Sequence, residues 1–138
     1  MTEAQKILLE GSFTCVLRKH DTVYTATERG VKPLVRWLTE GIDVRGFSAA
    51  DKVVGRATAY LYVLLGVKEV WAAVMSEAAA EVLQRHGIAA SQDRLVKNII
   101  NRAGTGICPF EEAVLGIHTP EEAKAAIFAK MDEMGISR

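Results

Sequence analysis

The feature that most constrains this chain is the uninterrupted apolar run Val70-Trp71-Ala72-Ala73-Val74-Met75, which closes on Ser76. A run this short, bounded by polar residues, has the pattern of a strand buried on both faces. Such a strand needs helices around it. Ser76 fits an N-cap, Ala80, Val82 and Leu83 follow it at helical spacing, and His86-Gly87 suits the C-terminal end. A buried strand leading directly into a capped helix points to an α/β fold.

The flanking segments extend that pattern. Residues 4–9 suit a short opening helix, Gly11-Ser12 breaks it, and Phe13 to Lys19 followed by Val23 to Thr27 reads as a β-hairpin turning at His20-Asp21-Thr22. Pro33 suits the first turn of a second helix that Gly41 ends. Ser48-Ala49-Ala50-Asp51 has the capping-box spacing, with Val53, Val54, Ala57, Leu61, Leu64 and Leu65 behind it. A helix from about Ser48 to Gly66 is therefore expected, so apolar all round that it should be sandwiched between other elements. Residues 88–102 allow a strand near 88–90 and either a strand or a helical turn over 95–100. Pro109 marks a helix start, and Thr119-Pro120-Glu121-Glu122 opens the last helix. The expected fold is one domain over residues 1–138, a three-layer α/β/α sandwich around a mixed sheet of about five strands with the hairpin at its start.

Composition excludes several classes. The 138 residues are 49% hydrophobic and 25% charged with a formal net charge of zero, which fits a globular protein and not a disordered one. No long nucleic acid is expected as a partner, because nothing is basic enough to track a phosphate backbone. The two cysteines, Cys15 and Cys108, form no CxxC and suit a reducing compartment. Residues 1–6 lack the apolar core of an export signal, so a cytoplasmic location is expected. The stretch from Ala57 to Val67 is too short to cross a bilayer.

Three segments carry a family resemblance: Asp51-Lys52-Val53-Val54-Gly55-Arg56-Ala57, Ser76 with Ala79, and Ile100-Asn101-Arg102 followed by Cys108-Pro109 and Glu111. Together they resemble an uncharacterised prokaryotic family, a domain of unknown function whose fold is similar to cytidine deaminase. In deaminases, H-x-E and P-C-x-x-C supply the zinc ligands and the proton-shuttling glutamate. At the matching places this chain reads Asp51-Lys52-Val53 and Met75-Ser76-Glu77-Ala78-Ala79, so every ligand is missing. His20, His86 and His118 have no second ligand at metal spacing. No metal site and no cofactor are expected, and zinc-dependent deamination is excluded.

The resemblance implies that the helices beginning near Ser48 and at Ser76 aim their N-termini into one cleft, which favours an anionic guest. Asp51 and Lys52 then read as acid/base and anion-clamping groups, against a capping box and a solvated lysine. Gly55 leaves room for a ligand or a neighbouring backbone. Ser76 reads as a ligand donor or simply an N-cap. Asn101 and Arg102 read as binders of a base edge or phosphate, or as turn and surface residues. Cys108, extended before Pro109, is the candidate nucleophile, its alternative being a small buried hydrophobe. Glu111 is a general base or dipole compensation. Cys15 reads as core.

The expected function is binding of a nucleotide-like or ADP-ribose-like small molecule in that cleft, with turnover through Cys108 as its catalytic version. The alternative is an inactive scaffold for self-association or partner binding. A homo-oligomer is expected on either reading, with the apolar helix around Ala57 to Leu65 as a candidate interface.

Overall fold

The structure, a computed structural model, describes residues 2–101 and 103–137. Six helices and five strands alternate along the described chain: α1 (Glu3–Glu10), β1 (Cys15–Lys19), β2 (Thr22–Ala26), α2 (Lys32–Glu40), β3 (Ser48–Val54), α3 (Arg56–Leu65), β4 (Glu69–Ser76), α4 (Glu77–Arg85), β5 (Ala89–Val96), α5 (Pro109–Ala113) and α6 (Pro120–Met134). The strands form one open mixed sheet in the order β2-β1-β3-β4-β5. β1 is antiparallel to β2 and β3, whereas β3, β4 and β5 run parallel. Parallel neighbours need crossovers, and α3 and α4 supply them.

Most local signals act where the sequence places them. Thr2 and Gln5 form a capping box on α1, and Thr119 accepts from the Glu122 N–H to cap α6. Gly41 and Gly66 turn left-handed at φ 71° and 77° to end α2 and α3. The hairpin turns at His20-Asp21, where His20 has φ 54°. The ambiguous residues resolve, over 88–101, into the edge strand β5 followed by the bridge of Ile100 to Ile107.

One expectation fails. Residues 48–54 are strand and not the first turns of a helix, because they pair with β1 on one side and β4 on the other. The Ser48 hydroxyl caps nothing; it donates to Glu69 of β4 at 2.7 Å. The capping box normally takes Glu or Gln at its fourth position, whose longer side chain reaches back to the N-cap N–H. Asp51 is shorter by one methylene.

Alternate strand residues divide between two apolar clusters. Val16, Ala50 and Trp71 join Ala4 and Leu8 of α1, while Leu17, Ala49, Val70 and Ala72 join the larger cluster with α2, α3, α4 and α6. α3 is the centre of that larger cluster, packed against α2, α4, α5 and α6 and buried nearly all round. Most of its apolar surface is thus covered by its own chain.

Candidate functional site

β3 and β4 lie side by side with Val54 opposite Met75, so α3 and α4 begin next to one another at the strands' carboxyl ends. The junction between β3 and α3 is Gly55, which N-caps α3 without a side chain. Its place is taken from far along the chain. The Glu111 carboxylate accepts from the Arg56 N–H at 2.7 Å and from the Ala57 N–H at 2.8 Å. A Cβ built on Gly55 would stand 2.5 Å from that carboxyl group, so the glycine makes room for the glutamate. Two charge-assisted hydrogen bonds at a positive helix end make a strong local contact. Sequence reading put Glu111 in the site, as a general base or as dipole compensation within its own first turn. The structure gives it to α3.

Asp51 and Lys52 do not sit at a helix start. Asp51 is buried within β3 and turned toward α3, where the Tyr62 hydroxyl donates to its Oδ2 at 2.7 Å. The Val53 N–H donates to the other oxygen at 3.3 Å. The Cys15 sulfur lies 3.0 Å from the same Tyr62 oxygen. With the phenolic proton given to Asp51, the thiol donates in turn, and the three side chains form a closed hydrogen-bonded chain. Burial raises the Asp51 carboxyl to about 6, against the lowering effect of the Tyr62 bond. Burial and then the nearby Asp51 charge push Cys15 and Tyr62 well above their ordinary values. Asp51 is therefore bonded within the fold through both of its oxygens. Lys52, next along the strand, is exposed, and Val53 after it is exposed too.

Ser76 is buried and caps α4, its hydroxyl accepting from the Ala79 N–H at 3.1 Å. Cys108 is the extended N-cap of α5 at φ −51° and ψ 134°, half-buried, and its thiol makes no capping bond. Because α5 has only five residues, its dipole acts weakly on that sulfur. Cys108 and Asn101 share one small hairpin: the Cys108 N–H donates to Ile99 at 3.0 Å and the Asn101 N–H to Gly106 at 2.8 Å. The Asn101 side chain bonds Thr105 across the tip, as turn chemistry predicts. Arg102 lies outside the described residues.

The structure thus brings Gly55 and Glu111 into contact, sets Ser76 on the adjoining strand end and Cys108 three residues before Glu111, and leaves Asp51 enclosed. Sequence reading missed Tyr62, and missed that Cys15 is more than apolar packing. The available signal was a tyrosine hydroxyl on a helix too apolar to leave it in water, which demands a buried partner. Among the described residues no group of three or more His, Cys, Asp or Glu stands close enough to hold a metal ion, and no helix is long and apolar enough to cross a membrane. Two surface depressions of about 300 and 290 Å³ are lined by other parts of the chain, and neither touches Gly55, Ser76, Cys108 or Glu111.

The class these features define is an α/β protein with an open mixed sheet of five strands and a remotely capped helix at its centre. The chain belongs to the family described as a domain of unknown function, DUF1893, which it matches over residues 3–131. It is similar to the crystal structure of a DUF1893 family protein from Thermotoga maritima, at 26% sequence identity and a TM-score of 0.83, over 91% of this chain and 85% of that one. No curated protein matches it.

Proposed function

We propose that this protein is a metal-independent member of the deaminase-like folds that binds a nucleotide-like or ADP-ribose-like small molecule at the carboxyl ends of β3 and β4. An antiparallel hairpin on one edge and two parallel βα units beside it support the deaminase-like reading. The apolar clusters, one with α1 and one with the other long helices, support three layers. Metal independence rests on the helix starts after β3 and β4, where Gly55-Arg56-Ala57 and Ser76-Glu77-Ala78-Ala79 carry neither H-x-E nor P-C-x-x-C.

The carrying observation is the Glu111 carboxylate held on two N–H groups in a gap that only glycine leaves open. That seat is built for an oxyanion, and the chain fills it with its own. A phosphate or carboxylate of a ligand takes the seat by displacing Glu111. Cys108 lies on the segment that carries Glu111. In the catalytic version its thiolate attacks an electrophilic carbon of the ligand as the bond to the leaving group breaks, and the released Glu111, in place of Asp51 and Lys52, carries the thiol proton to that leaving group. Water then frees the product from the sulfur. Asn101 contributes through the same hairpin.

Thermal-shift measurements with ADP-ribose, AMP and adenosine test the reading on the unmodified protein, on Glu111→Ala and on Cys108→Ser. The phosphate-bearing ligands should raise Tm, more in Glu111→Ala because the seat is then empty, and chelator should change nothing. Cys108→Ser should keep binding and lose any turnover. No rise with any ligand in either the unmodified protein or Glu111→Ala sinks the reading.

A scaffold is the second reading, favoured by the open edge of β5, where Leu95 is 50% exposed. Self-association would fall there and not on α3. Sedimentation velocity across a hundredfold concentration range decides it, a concentration-independent monomer counting against it.

A further inference from the structure

A second concave surface lies at the opposite end of the sheet. Arg18, Lys19 and His20 close β1 and enter the hairpin turn, Gly46 and Ser48 lead into β3, and Lys68 immediately precedes β4. These six residues line a depression of about 290 Å³. Strand register brings them together, with Arg18 opposite Ser48 and Ser48 opposite Glu69.

The charges are unbalanced. Three permanent cations line the depression and no carboxylate does, in a chain whose formal net charge is zero. The nearby acids are already partnered: Asp43 is held by Arg45 at 3.1 Å and also feels the Lys19 charge, and Glu69 at the rim accepts from Ser48 at 2.7 Å and stands 3.9 Å from Lys68. Arg18 is half-buried, yet neither it nor Lys19 has an ion-pair partner among the described residues. Gly46, at φ 78°, keeps the floor free of a side chain beside the Lys19 ammonium; a Cβ there would stand 3.5 Å from Lys19 Nζ. A half-buried guanidinium without an ion-pair partner among the described residues, two ammonium groups and a hydroxyl are the donor set of an oxyanion site.

We propose that this depression binds a phosphate- or diphosphate-sized oxyanion, either free or carried on a small phosphorylated molecule. Arg18 supplies planar two-point recognition, Lys19 and Lys68 supply charge from either side, and the Ser48 hydroxyl turns from Glu69 to the guest. The site is separate from the Glu111 seat. β3 runs seven residues between Ser48 and Val54, which separates the two ends by roughly 20 Å.

Proton–nitrogen correlation spectra of the labelled full chain, titrated at low ionic strength with inorganic phosphate, pyrophosphate and ADP, test this, with potassium chloride at matched ionic strength as control. Saturable shifts should centre on the amides of Arg18, Lys19, His20, Gly46, Ser48 and Lys68. Lys19→Glu combined with Lys68→Glu should weaken pyrophosphate binding at least about tenfold while the rest of the spectrum stays in place. Arg18→Gln gives a milder second variant, and falling pyrophosphate affinity with added salt gives a reading on the unmodified protein. Equal affinity for pyrophosphate and ADP at these amides assigns the free oxyanion, and tighter ADP binding assigns a phosphorylated molecule. Shifts no larger than those from chloride, or shifts that survive both variants, overturn the site. ADP shifts at Arg56, Ala57 and Glu111 report on the other seat and are scored separately.

Discussion

The two parallel units at the middle of the sheet, β3 with α3 and β4 with α4, share a geometry and differ in how each helix begins. In the second unit Ser76 ends an apolar strand and caps α4 with its own hydroxyl, three residues from the N–H it accepts. In the first, Gly55 offers no side chain, and a glutamate 55 residues beyond Arg56 supplies the cap. The strands differ in parallel. Where β4 carries Ala72 against the helices, its register partner on β3 is Asp51, bonded to Tyr62 of α3. The β4–α4 unit is stabilised within its own sequence. The β3–α3 unit depends on α5 and on a buried polar chain, so its helix start is fixed only once the tertiary structure is complete.

The largest effect should come from closing the gap that remote capping requires. Gly55→Ala adds a methyl group 2.5 Å from the Glu111 carboxyl group, at a φ of −101° that any residue tolerates, so the effect is steric and not conformational. Expelling Glu111 loses both hydrogen bonds and adds crowding, for a destabilisation of roughly 3 to 4 kcal/mol. Urea unfolding with an unchanged m-value measures it. A loss below about 0.5 kcal/mol, the ordinary range for a neutral surface change, breaks the contrast between the two units.

Asp51 should come next, through pH. Burial raises its carboxyl to about 6 in the folded protein, whereas an unfolded chain leaves an aspartate near 3.9. Folding therefore favours the protonated form. The contribution is fully present below about pH 4 and is lost as pH rises through 6, a change on the order of 2 to 3 kcal/mol. The difference in unfolding free energy between the unmodified protein and Asp51→Asn, followed from pH 4 to 7.5, should carry this slope, since asparagine does not titrate. Parallel curves for the two proteins would mean that Asp51 titrates normally and that β3 carries no more electrostatic strain than β4.

The same contrast explains what the sequence could convey. Ser76, Gly66, Thr119 and the apolar run before Ser76 act within a few residues of themselves, and each lies in the structure where its local chemistry puts it. Ser48 and Asp51 offer equally good local chemistry and are nonetheless strand, because pairing with β1 and β4 outweighs a cap of about 1 kcal/mol. Gly55 then looked like a glycine inside a helix when it marks the strand-to-helix junction. Cys108 and Pro109 were legible because proline acts on its neighbour directly. The partnership of Glu111 with Arg56 and Ala57 was not, because nothing local to either segment encodes it. The order of the sheet and the Cys15–Tyr62–Asp51 chain are likewise long-range, and periodicity carries no record of them.

Glu111→Gln separates charge from shape. The amide keeps one accepting oxygen and the side-chain volume, and replaces the second oxygen with a donor that faces an N–H. A loss of about 1 to 2 kcal/mol is expected, with part of it disappearing at high salt because the helix end attracts charge. If the loss does not change with salt, hydrogen-bond count and not the α3 dipole holds the glutamate in place.

Ser76→Ala should be the smallest of these changes, about 1 kcal/mol, since it removes one neutral cap and a single oxygen from a buried position. Its informative form is the double variant with Glu111→Gln. α3 and α4 pack together, so their starts could be coupled; but the Ser76 hydroxyl accepts from its own helix start, and the Glu111 carboxylate accepts from the start of α3. Local and remote caps that are physically separate should add to within about 0.5 kcal/mol. A coupling above about 1 kcal/mol would mean the two helix starts share one polar environment, and then an oxyanion arriving at Arg56 and Ala57 would be felt at Ser76 as well.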